Sequence, residues 1–514
     1  MKKVVCYEVC YVFFITVAIG YILNKNINVF SFICIGIFLA TIGGITTKTL
    51  WQYVPRLTLI HLNVKIDLKV FITSWICILC AYIPVWLAFY PGISSYDANI
   101  QVQYVMENQF STHHPILHSI LLGGLYKVGC ILEKPAMGID YYTLIQMLIL
   151  SSVFAYAVAY LYASGLSKKL CICCAVFYGV FPVNSILAVS ATKDTLFAVL
   201  VLLYVMNMLQ LQEGNFPKKA IAGNIIITVL MLLMRNNALY AWIVSIPFML
   251  LIIKKYKKKF AIIQFCIFIL FFCVNHVLIA LTGAEKSSPV EMLSVPAQQM
   301  ARVGYNHQEV KESSSLLHYI PEETIAQYNP YLADNIKFYM NSQNVRNNKK
   351  GFINEWIALG IKYPKEYISA FLYNNMGFWY INDFSHTDIY GDKEGFGYLT
   401  DARLSYDGKP IGEEHSYFTL LKQIYHNWFI DNQYLNLQII RLFFSPAFWW
   451  WLLVFIMVIV YCKDDRNYML PIIFLIVYYV TLLFGPTCLI RYMYPIIVCI
   501  PVLLGMIRKE RKEE

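Results

Sequence analysis

The chain has 514 residues, of which 58% are apolar or aromatic and only 14% charged, and its formal net charge is +10. Soluble domains carry roughly 25% charged residues, so a water-soluble protein is close to excluded. The lysines and arginines stand in short clusters between apolar blocks, as in membrane-protein loops, which argues against nucleic acid as a partner.

Backbone amides must be paired within hydrocarbon, so apolar stretches of roughly 17 to 25 residues between polar breaks predict spanning helices. Twelve are predicted in chain order: 4–23, 29–47, 70–90, 141–163, 170–189, 195–212, 220–234, 238–253, 260–281, 443–461, 468–486 and 490–507. Met1-Lys2-Lys3 before the first, with no small-residue cleavage site after it, reads as an uncleaved helix. The stretches 220–234 and 238–253 are short for a bilayer, so either they run on through Arg235 and Asn236 or the membrane thins there. The fourteen cysteines fall almost entirely inside apolar runs, including the Cys77 and Cys80 pair, and read as small buried hydrophobes.

Short loops on alternate sides hold about 21 and about six basic residues, and the positive-inside bias then places both termini in the cytoplasm. The stretch His114–Leu132 is nearly long enough to span, but a span there would move Lys168, Lys169 and the cluster Lys254–Lys259 to the outer side. It carries Pro115, His118, Gly123, Gly124 and Lys127, and a pair of helices lying in the outer interface is the preferred reading. The fold expected is therefore an all-α polytopic membrane protein with about 12 transmembrane helices, interfacial helices in the first large external loop, and a small mixed external domain. Its parts are residues 1–69, two N-terminal helices and a cytoplasmic loop; 70–281, a transmembrane module with external loop 91–140; 282–442, an extracytoplasmic domain; and 443–514, the last helices and a basic tail.

The polar residues of interest fall on the outer side. Tyr90-Pro91-Gly92 stops the third span with a turn, which leaves Asp97 near the interface, where partial desolvation suits a carboxylate to proton abstraction; capping of the following helix is the plainer role. His113 and His114 open the interfacial segment and suit phosphate or polar interface contacts. Lys193-Asp194, Arg235-Asn236 and Arg491 stand at the outer ends of later helices, where cations pair, snorkel or bind an anion such as a lipid phosphate. Ser294-Val295-Pro296 begins a helix bearing Gln298, Gln299 and Arg302, which suit hydroxyl and phosphate binding or simple surface solvation. Trp379, Tyr380, Asp383, His386 and Asp388 form a weaker aromatic and acidic group of the kind that contacts carbohydrate. There is no P-loop, GxSxG or HExxH.

In this order Tyr90-Pro91-Gly92 through Asp97, His114-Pro115, Lys193-Asp194, Arg235-Asn236, Ser294-Val295-Pro296 through Arg302, and Arg491-Tyr492 to Pro495 resemble the GT-C class of membrane glycosyltransferases. The likeness is to a bacterial family allied to the protein mannosyltransferase-like and O-antigen glucosyltransferase-like groups, and it runs from about residue 70 to 505. It implies a multi-pass protein of the bacterial plasma membrane with its site on the extracytoplasmic side. The implied activity moves a sugar, with inversion, from a polyprenyl-phosphate donor to a glycan, lipid or protein acceptor. Asp97 would be the base, with His113, His114, Lys193, Asp194, Arg235, Asn236, Gln298, Gln299, Arg302 and Arg491 binding substrate. Many members pair two acids near the first loop, whereas Asp97 is followed by Ala98 and only Glu107 is near, so a magnesium or manganese cofactor stays open. A lipid-linked saccharide transporter or a non-catalytic envelope assembly protein are the alternatives; a transporter predicts polar groups at mid-bilayer, whereas these spans are apolar through their centres.

Overall fold

Helix α1 (Lys2–Lys25) begins the computed structural model, which describes residues 2–25, 41, 57–59, 66–94, 97–213, 216–382, 394–395, 399–400, 405–407, 409–411, 415–463 and 466–509. The predicted span 29–47, apart from Thr41, lies outside the described residues, as do Asp383, His386 and Asp388. The protein is helical. Among the described residues its β-structure is limited to short antiparallel pairs, such as Leu57–Leu59 with Ile507–Lys509, and isolated bridges.

The bundle that follows is formed by α2 (Leu68–Ala88), α3 (Asp97–Met106), α4 (Ile116–Ile131), α5 (Pro135–Ala163), α6 (Lys168–Val180), α7 (Pro182–Ala188), α8 (Lys193–Glu213), α9 (Lys218–Met234), α10 (Asn236–Ile252) and α11 (Lys257–Thr282). Among the described residues five helices are long and apolar enough to cross a membrane: Leu68–Ala88, Pro135–Ala163, Lys193–Leu211, Lys257–Thr282 and Pro446–Lys463. The predicted span 170–189 is instead two helices, α6 and α7, bent by 50° at Phe181, because Pro182 lacks the amide that would continue the first helix. These together would make a sixth crossing.

The helices differ in what surrounds them. α8 is apolar all round and almost wholly buried at the centre, as such a helix must be. α11 is equally apolar but turns Ile262, Phe265, Phe272, Val277 and Leu281 outward. An apolar surface of that extent belongs against lipid rather than water.

α4 does not run the length of the bundle. Its first turns sit beside α5, where His118 bonds Tyr142, and its far end packs at Gly129 against Gly138, one turn earlier on α5. A Cβ at Gly138 would fall 2.4 Å from the Leu125 carbonyl oxygen, so the two helices close into a tight hairpin at one end of the bundle.

The polar insertion contains α12 (Ser294–Asn306), α13 (Lys349–Lys362), α14 (Pro364–Asn374), α15 (Met376–Trp379) and α16 (Thr419–Phe429), with shorter turns between them. It has its own core around Ala297, Met300, Val303, Leu316, Ile325, Ile336 and Phe352. It docks on the loop before the last helix: the Ala333 amide donates to the Pro486 carbonyl (2.8 Å), Asn374 to Gly485 (3.1 Å) and Asn375 to Leu483 (2.9 Å). The chain closes with α17 (Pro446–Lys463), α18 (Arg466–Leu482) and α19 (Ile490–Gly505). α1 lies along α17, with Phe13 edge-on to Trp451 at 5.0 Å.

Candidate functional site

Two chain segments meet at the end of the bundle and set the site. After α2 the chain turns at Tyr90-Pro91-Gly92, and Gly92 has φ 155°, with a Cβ there falling 2.3 Å from Thr143 Oγ1. Only glycine lets this strand lie so close to α5. The strand then pairs with the lead-in to α8: Ile93 donates to the Val189 carbonyl (2.8 Å) and Ala191 to the Ile93 carbonyl (2.7 Å). Gln146 of α5 fastens the lead-in by donating to the carbonyls of Leu187, Ala188 and Ser190. Asp97, first residue of α3, is thereby brought to Lys193, first residue of α8.

The Lys193 ammonium donates to Asp97 Oδ2 at 2.6 Å and lies 3.1 Å from His114 Nδ1. An ammonium cannot accept, so Nδ1 accepts and the imidazole proton sits on Nε2. That Nε2 is buried with no hydrogen-bond partner among the described residues. Burial, then the neighbouring Lys193 charge, push the His114 pKa down to about 3, so the ring is neutral. Burial alone would raise the Asp97 carboxyl; Lys193, His114 and Arg491 outweigh it and hold the group well below the usual carboxylate range. Its side chain is still 33% exposed, against 16% for Lys193.

Beside this pair lies a second one. Asp194, buried, accepts from Arg235 Nη1, and Arg491 Nη1 stands 4.0 Å from its other oxygen. Arg235 reaches Asp194 because it is the extended break between α9 and α10, at φ −156° and ψ 125°; the two short predicted spans do not run on into each other. Its Nε donates to Asn237 (2.9 Å), which donates to Thr481 of α18 (3.1 Å), and its guanidinium lies over the Phe197 and Tyr492 rings. Two guanidiniums thus gather at one buried carboxylate in a low-dielectric setting, a concentration of charge-assisted donors that suits an anion.

The remaining sequence candidates divide. His113 is 3.8 Å from Glu291, and Asn236 is occupied in holding the carbonyls of Thr112 and His113. Both are part of the cluster, and burial lowers the His113 pKa. Gln298, Gln299 and Arg302 are not. Gln298 donates to the Asn329 carbonyl (2.5 Å), Gln299 joins Trp356 to the Tyr367 carbonyl, and Arg302 binds Glu366 (2.8 Å) and Tyr328 (3.2 Å) inside the insertion.

Sequence reasoning missed Glu291 and Lys337. Lys337 is buried and bridges Glu291 (2.9 Å) and Asp334 (2.8 Å), so the insertion adds one cation and two carboxylates next to His113. It also missed His118, which links Gln101 of α3 (2.8 Å) to Tyr142 of α5 (2.8 Å) and braces the loop that carries Asp97. A glutamine and a histidine at apolar-flanked positions were the available signal.

Among the described residues no three His, Cys, Asp or Glu side chains are grouped to hold a metal ion. Asp97 with His114 already has the Lys193 ammonium between its donors, so this pair does not fit a divalent cation as arranged.

Fold and site together define a helical protein, with several helices apolar enough to cross a membrane and a buried cluster of paired acids and cations at one end of the bundle. Residues 72–514 match DUF6020, a family of unknown function, and the chain belongs to that family. No curated protein and no solved structure matches it.

Proposed function

We propose that the protein is an inverting glycosyltransferase that moves a sugar from a polyprenyl-phosphate donor to an acceptor hydroxyl outside the cytoplasm, with both termini cytoplasmic and the Asp97 end outward in a bacterial plasma membrane. The observation that carries the reading is the convergence of Arg235 and Arg491 on Asp194 beside a partly exposed carboxylate, Asp97. That pairing suits a reaction in which a phosphate departs and a hydroxyl is deprotonated.

In this reaction the acceptor O–H proton passes to Asp97 as its oxygen bonds the anomeric carbon. The bond from that carbon to the phosphate oxygen breaks, and polyprenyl phosphate leaves with the electron pair. Arg235 and Arg491 stabilise its growing charge. Lys193 first has to release Asp97, since a carboxylate paired at 2.6 Å is a poor base. The donor phosphate competes for the Lys193 ammonium, and its arrival loosens that pair and restores basicity to Asp97. The neutral His114 Nε2–H is a further donor for the phosphate.

The test is incubation of the purified protein in bilayers with radiolabelled polyprenyl-phosphate sugars and envelope acceptors. Transfer that Asp97→Asn abolishes is the expected result. Translocation of the lipid without transfer, or binding alone, would replace the proposal with one of its alternatives.

A further inference from the structure

The segment Tyr417–Phe443 runs from the end of the predicted external domain to the start of the next predicted span, and its apolar residues are arranged for a medium other than water. On α16, Leu421, Tyr425, Trp428 and Phe429 face the bundle, and Tyr425 bonds Ser185 (2.9 Å). Leu420 and Ile424, at 64% and 44% exposure, continue the same apolar half of the helix past the edge that the bundle covers. Lys422, Gln423, His426 and Asn427 occupy the other half. Farther on, Leu437, Ile439, Ile440 and Phe443 are also turned outward, Ile439 at 75%.

This surface is continuous with one already assigned by its helices. Trp428, Ile440 and Phe443 form the upper lip of a groove of about 710 Å³, whose walls are Phe177 and Phe181 of the bent pair α6–α7, Trp449 and Leu452 of α17, and Leu504 of α19. α17 and the α6–α7 pair are among the segments apolar enough to cross a membrane, so lipid already borders the lower part of the groove. The level is fixed by two backbone bonds: Tyr417 donates to the Leu87 carbonyl (2.8 Å) and His415 to the Tyr90 carbonyl (3.2 Å), at the last turn of α2.

We infer that Tyr417–Phe443 is a membrane-interface element, with Leu420, Ile424, Ile439 and Phe443 seated in the acyl chains of the leaflet at the Asp97 end. Its polar half lies at the headgroups, as an amphipathic helix lies in an interface. The bilayer boundary then falls at the Tyr90 turn, a few residues before Asp97, which places the charge cluster at headgroup height. The inference rests on the membrane reading of α17 and the α6–α7 pair and uses no step of glycosyl transfer, so each fails separately.

The experiment reconstitutes the full chain in nanodiscs of phosphatidylglycerol carrying a diazirine on the acyl chain, irradiates, and maps adducts by peptide mass spectrometry, with hydroxyl-radical footprinting in parallel. The expected result is acyl adducts on the peptides bearing Leu420, Ile424 and Ile439, as on that bearing Phe265 of α11, and none on exposed Glu323 of the insertion. Strong radical oxidation without lipid adducts would show a water-facing surface and overturn the inference. Absence of both would show that protein covers it, a second copy first, and would overturn it equally.

Discussion

Two arginine-centred clusters in this protein look alike in sequence and differ in what they leave over. In the insertion Arg302 meets Glu366, which also accepts from Asn306 (2.8 Å), and Tyr328 takes a further guanidinium proton. One cation meets one anion, and the network closes on itself. At the end of the bundle Arg235 and Arg491 both converge on Asp194, while Asp97 beside them is held ionised and partly open. A closed network stabilises a fold; cations gathered beside a partly open carboxylate also suit binding.

The contrast gives its largest expected effect at Asp97. Asp97→Asn keeps the shape of the side chain but cannot take a proton, and it lowers sugar transfer per folded molecule about 10²- to 10⁴-fold in a reconstituted assay. Arg491→Gln removes one of the two guanidiniums at Asp194 and lowers transfer about 10²- to 10³-fold. Arg302→Gln is the counterpart: it costs about 1–3 kcal/mol of stability by leaving Glu366 short of its partner, and the folded fraction transfers at the wild-type rate. Equal losses of transfer in the two arginine variants would erase the distinction.

The smallest effect is in pH. His114 binds a proton in the unfolded chain below about pH 6.5 but only near pH 3 when folded. The unfolded state therefore gains protons first as pH falls, and this residue costs about 2 kcal/mol of stability between roughly pH 6.5 and 5. His114→Asn flattens that part of the thermal-midpoint profile. Asp97 acts in a lower window: its depressed value contributes stability above about pH 4 that is lost only on further acidification.

How far these clusters could be read from sequence follows from their flanks. Asp97, Lys193, Asp194, Arg235 and Arg491 stand at the ends of apolar runs, and helices that alternate in direction bring such ends together, so their convergence was legible. The break at Phe181 was signalled by Pro182 but hidden by the unbroken apolar composition around it. Gln298, Gln299 and Arg302 follow a proline like a site motif, yet the Gln298 partner Asn329 lies 31 residues away and the Gln299 and Arg302 partners Tyr367 and Glu366 lie 68 and 64 away, and nothing local shows that they turn inward. Lys337 and Glu291 read as ordinary surface charges. Tertiary contacts, among them Ala333 on Pro486 and Glu285 on Phe110 and Thr112, bring their neighbourhood to the site. The apolar half of α16 was not visible within the predicted external domain 282–442, because a helix apolar on half its wheel has the average composition of a polar one.

The central claim is that the Asp194, Arg235 and Arg491 group binds the phosphate of a lipid carrier. Equilibrium binding of fluorescent undecaprenyl phosphate to the protein in nanodiscs tests it most directly, with wild type, Arg491→Gln and Arg302→Gln side by side. The account predicts saturable binding by wild type and Arg302→Gln, weakened about tenfold or more in Arg491→Gln by loss of one charge-assisted contact. Equal binding by wild type and Arg491→Gln, or none by wild type, would contradict it.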